Sequence, residues 1–171
     1  MTSETTRLQA AAYDAELAAG LPLSELGRVT FGAGAEEAVV SPAQCATYLH
    51  AVQRTAWFAP AFPGHARPVV VIGGNGRSNA DPDRGIVTIG VDDRATPRRC
   101  ERACLHELAH VVTAELGPDG GLREAVTGPA STRGHHHAWR ANFVFIVGLT
   151  LGRPAAKRLR AEFNEWGLVT R

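Results

Sequence analysis

The chain has 171 residues, 44% of them hydrophobic and 20% charged, with a formal net charge of +1. That length and composition fit one globular domain spanning 1–171 with a core of its own, and exclude a disordered or fibrous chain. So small a net charge offers no broad attraction to nucleic acid or to an acidic membrane surface.

In chain order, residues 5–19 carry helical spacing and "RVTFG" (28–32) predicts a short strand. Ser41 followed by Pro42 combines an N-cap with a first-turn proline and opens a helix expected to run through about Trp57. "FAPAFPGHARP" interrupts the pattern, with Trp57, Phe58 and Phe62 expected to pack the core. His50 and His65 are expected to be ordinary residues of a helix and a loop. "VVVIGG" (69–74) and "GIVTIGV" (85–91) are β-branched runs, and the "NGRSNADPDR" between them suits a long hairpin turn. A phosphate-binding loop at "GGNGRSN" lacks the Lys-Ser/Thr that should follow it.

Thr96 and Pro97 open the next helix, and Gly117-Pro118 should end it near residue 116. It contains "CLHELAH" (104–110). Cys104, Leu108, Val111 and Val112 share one stripe, while His106 and His110 lie four apart on the opposite side. Two imidazoles on a face away from the core can offer their ring nitrogens to a single metal ion, with Glu107 beside the open coordination position. A catalytic zinc site usually takes three protein ligands and a water, so a third ligand must come from later in the chain. A metzincin would have glycine at 113 and histidine at 116, where this chain has Thr113 and Leu116. After a loop rich in glycine and proline (117–134), "GHHHAWRANFVFI" predicts a helix with Trp139, Phe143 and Ile146 buried. His135 falls one turn before Trp139 on the same stripe and is the leading third ligand. His136 and Glu124 are the alternatives, and His137 turns away.

The apolar run "FVFIVGLTLG" (143–152) is shorter than the ~20 residues of a membrane span. The cluster Arg153, Lys157, Arg158 and Arg160 is expected to be a solvated helix face. The three cysteines form no C-x-x-C pair, so small buried side chains are expected in place of a disulfide framework or a zinc ribbon. The N-terminal segment "MTSETTRLQAAAYDAELAAG" has neither the basic start nor the apolar middle of a secretory signal, and a cytoplasmic location is expected.

"HELAH" on a helix after a β-hairpin, followed by His-x-x-x-Trp from His135 to Trp139, resembles the H-E-x-x-H…H-G-x-x-[F/W] arrangement of the SprT-like zinc metallopeptidases. The chain more closely resembles a family of short actinobacterial metallohydrolases in "RLQAAAYDAE" (7–16), in the helix before the hairpin and in "CLHELAHVV". It departs from the pattern where His135-His136 replaces His-Gly, and it lacks the zinc ribbon that often follows SprT-like domains. The resemblance implies a minimal zincin-like α+β fold, a small antiparallel sheet with the H-E-x-x-H helix packed on further helices.

The expected function is that of a zinc-dependent metallopeptidase acting on a peptide or protein. His106, His110 and His135 would hold Zn2+, which lowers the pKa of a bound water toward ~7, and Glu107 would act as general base. His136, His137 and Arg140 are the candidates for stabilising the oxyanion. An extended substrate is expected to add to the sheet along "GIVTIGV". A zinc hydrolase of small non-peptide amides, a non-catalytic, metal-stabilised binding module and a metal-free helical protein with surface histidines are the competing readings.

Overall fold

The computed structural model describes residues 4–32, 39–113, 115–116, 122–123, 135 and 137–168. The chain is α+β and divides into two compact units, 23–114 and 1–22 with 115–171.

The 23–114 unit holds the sheet and the H-E-x-x-H helix. It opens with α2 (Glu25–Phe31), where the sequence predicts a strand at 28–32. Local capping overrides the β-branched pattern. The Ser24 side chain accepts from Gly27 N at 2.9 Å, which satisfies an orphan donor of the first turn. Ser24 is in turn held by Glu101, whose carboxylate accepts from the Ser24 backbone N at 2.7 Å and from its hydroxyl. The close fit explains Gly27, since a Cβ there would stand 2.6 Å from the Glu101 carboxylate and 2.7 Å from Leu23.

The helix expected from Ser41 onward is α3 (Pro42–Gln53), opened by a full capping box between Ser41 and Gln44. It ends four residues before the expected Trp57, and the short α4 (Phe58–Ala61) follows. Phe58 and Phe62 are buried, whereas Trp57 is half-buried. His50 Nε2 lies 2.8 Å from the Val69 carbonyl, a structural contact at the start of the sheet.

The sheet is mixed, which corrects the antiparallel sheet expected from the sequence. Strand β1 (Val70–Gly74) pairs parallel to β3 (Ile86–Gly90), and β2 (Asn79–Asp81) pairs antiparallel to β3 on its other side. The ten-residue connection is not one hairpin turn; it carries a strand of its own. After β1 the backbone passes over the end of β3, where only glycine fits, because a Cβ on Gly90 would lie 2.0 Å from the Gly76 carbonyl oxygen. Ser78 fastens this crossover, its hydroxyl accepting from Gly90 N at 2.9 Å and donating to Asp93 at 2.6 Å. The hairpin is β2 to β3, its turn braced by Arg84 N donating to Asp81. Both sides of β3 are therefore paired, which removes the expected substrate position along "GIVTIGV"; the edges are β1 and β2.

Helix α5 (Pro97–Thr113) packs on β2, β3, α2 and α3. Val87 and Ile89, two apart on β3, are fully buried, the alternation expected of a strand with one face in the core. The helix stops at Thr113, short of the expected 116, because Glu115 and Leu116 form β4 and pair antiparallel with β5 (Leu122–Arg123). The expected stop at Gly117-Pro118 lies outside the described residues.

In the other unit, α1 (Glu4–Ala19) packs against α7 (Arg153–Glu165), and α7 packs against α6 (His137–Thr150). Helix α1 covers the expected 5–19. Helix α6 buries Trp139, Phe143 and Ile146 as its spacing predicts, and α7 buries Ala155, Leu159 and Phe163 at four-residue intervals. Arg153, Lys157, Arg158 and Arg160 are exposed on α7, a solvated basic face. No helix among the described residues is long and apolar enough to cross a membrane.

Candidate metal centre

Helix α5 is set in place at its first turn. The Thr96 hydroxyl accepts from Arg99 N at 3.2 Å, and the Thr96 carbonyl accepts from Cys100 N at 2.9 Å. From residue 101 to 113 every position on the helix is buried except His106 and His110, which are half-buried. The apolar stripe of Cys104, Leu108, Val111 and Val112 is buried as the sequence implies, and the two histidines occupy the one solvent-accessible strip of this stretch.

Their imidazoles converge. The two Nε2 atoms lie 3.2 Å apart, with ring centroids 5.0 Å apart and planes inclined by 60°. Two nitrogens that share a zinc ion at about 2.0–2.1 Å with a tetrahedral angle stand roughly 3.3 Å from each other, so this spacing is that of a ligand pair. The inclined planes also suit it, since each lone pair lies in its own ring plane. Glu107 sits between them in sequence and is 5% exposed, a residue largely withdrawn from bulk water.

His135 lies in the 1–22 and 115–171 unit, in a bend immediately before α6. Its ring stands edge-on to Trp139, with centroids 4.3 Å apart and planes at 89°. Its carbonyl accepts a hydrogen bond from the Arg140 guanidinium. Trp139 stacks in turn on Phe143, 5.2 Å away at 25°, so the imidazole is backed by the aromatic core of α6. Arg140, one of the residues considered for an oxyanion role, here braces the bend that carries His135. His137 is exposed at the start of α6, as expected. His136 and Glu124, the competitors of His135 as a ligand, lie outside the described residues, as does the 117–134 stretch apart from β5 (Leu122–Arg123).

A second group of ligand-type side chains lies on the same helix. Cys100 and Cys104 of α5 meet Cys45 of α3, with all three Sγ atoms within 4.8 Å of one another and Cys45 to Cys100 at 3.3 Å. All three are fully buried. The spacing of Cys100 and Cys104 was visible in the sequence, but nothing in it linked them to Cys45 on a helix 55 positions earlier. The chain thus contains both histidine and cysteine groups able to bind a metal ion.

Comparison with protein-family models, with curated proteins and with solved structures finds no match to this chain.

Proposed function

We propose that the protein is a zinc-dependent metallopeptidase in which His106, His110 and His135 hold the ion and Glu107 is the general base. The observation that carries this reading is the ligand-like 3.2 Å spacing of the two Nε2 atoms on the one accessible strip of residues 101–113 of α5, with the buried Glu107 next to His106 in sequence. At this distance one neutral imidazole can also donate to the other, a contact that a bound cation would replace by drawing on both Nε2 lone pairs. His135 is proposed as the third ligand because its ring is oriented by Trp139 and its backbone is fixed by Arg140. Ligands already held in place lose little freedom on binding.

Zinc at such a site supplies Lewis acidity for the scissile carbonyl and an acidified water. The protein's own part is to orient three neutral imidazoles and to move a proton. Glu107 takes it from the attacking water and delivers it to the departing amine.

Glu107→Gln is expected to retain zinc and to lose about 10²–10⁴-fold in hydrolysis of an unfolded protein substrate. Undiminished turnover in that variant would exclude Glu107 as the base. His135→Ala is expected to lose most of the zinc, and full retention would move the third ligand to His136 or Glu124. Cleavage of small amides with peptides left intact would replace the peptidase by the small-amide hydrolase.

A further inference from the structure

The three buried thiols are not explained by the histidine centre. We propose that Cys45, Cys100 and Cys104 form a separate, three-coordinate thiolate site for a monovalent copper ion.

The donor set is all sulfur. Soft thiolate ligands select soft ions, and among the described residues the group brings no oxygen or nitrogen donor, which disfavours magnesium, calcium and manganese. Structural zinc is almost always four-coordinate, whereas this group offers three ligands, a number that suits copper(I). The distances are compatible. Sulfurs bound to one ion at about 2.3 Å with trigonal angles stand roughly 4 Å apart. That separation lies between the 3.3 Å of the closest pair and the 4.8 Å that encloses all three.

Two rigid elements hold the ligands. Cys100 and Cys104 are one turn apart on α5, and Cys45 projects from the first half of α3, which packs on α5. A buried thiolate cluster also needs a counter-charge. Arg94 is a cation whose charge reaches both Cys45 and Cys100. Its guanidinium is anchored by the carbonyls of Ile89 and Val40, at 3.2 and 3.1 Å. On binding, each coordinating thiol that is still protonated releases its proton to solvent. The copper enters and remains in the +1 state, and no electron is exchanged.

The test is anaerobic titration of the full chain with the acetonitrile complex of copper(I), in competition with a chromogenic copper(I) chelator. One equivalent is expected to be retained, and X-ray absorption at the copper edge should show a first shell of three sulfurs. His106→Ala/His110→Ala should bind copper as the wild type does, while Cys45→Ser should bind at least about tenfold more weakly. If Cys45→Ser does not fold, the absorption spectrum of the wild-type complex decides. Failure to compete with the chelator, a first shell of nitrogen, or a Cys45–Cys100 disulfide in protein purified under reducing conditions would each overturn the proposal.

Discussion

Glu101 shows how one side chain on α5 fixes a neighbouring element. It is 1% exposed, and its carboxylate accepts from both the backbone N and the hydroxyl of Ser24, the residue that caps α2. Removing it leaves a buried backbone donor without its acceptor, so Glu101→Ala is expected to lower unfolding free energy by about 1–3 kcal/mol in chemical denaturation. Burial raises the Glu101 pKa in the folded protein above its ordinary value of 4.5, against the opposing pull of the Ser24 hydrogen bonds. A carboxyl with a raised folded pKa keeps its proton longer in the folded than in the unfolded chain. Its contribution is greatest below the unfolded pKa and declines as pH rises toward the folded one. Denaturation profiles are thus expected to show stability falling with pH just above 4.5, a slope that Glu101→Gln removes. An unchanged slope in that variant would assign the pH dependence to other groups. The histidine pair is a residue-scale feature of a different kind: its rings are placed by helical periodicity alone, four residues apart in a stretch of α5, residues 101–113, whose other positions are buried.

At the scale of elements, the crossover between β1 and β3 is the least tolerant point in the sheet. Gly90→Ala would drive a methyl group into the Gly76 carbonyl, which is backbone and cannot swing aside. A loss of about 1–3 kcal/mol is expected in thermal or chemical unfolding, whereas Gly85→Asn, with open space around it and a φ of 63°, should be nearly neutral. Equal effects at the two positions would contradict so tight a crossover. The same region marks the limit of what the sequence disclosed. Helices with strong local signals were legible: Ser41-Pro42 and Thr96-Pro97 announce α3 and α5, and the Trp139, Phe143, Ile146 stripe announces α6. Strand pairing was not, because it depends on contacts distant in sequence. Two β-branched runs with turn residues between them read equally well as a hairpin or as parallel neighbours with a third strand in the connection. Helix α2 was missed for a related reason: the Glu101 that anchors its cap lies 77 positions away from Ser24. The histidines of α5 could be placed from helical spacing alone, while the cysteine trio depended on the docking of α3 on α5.

For the whole molecule, the consequence of the proposed centre is that metal binding and folding are linked. A ligand that binds only the folded state adds RT ln(1 + [L]/Kd), about 2.7 kcal/mol when free zinc is 100 times Kd. Zinc is therefore expected to raise the unfolding temperature, a chelator to reverse the rise, and His106→Ala to abolish it. The most direct measurement is the zinc content of the wild type and of His106→Ala/His110→Ala, both purified with zinc present and then freed of loosely bound ion. About one equivalent is expected in the wild type and is expected to be missing from the double variant. Less than half an equivalent in the wild type, or the same content in both proteins, would contradict a metal centre at these histidines.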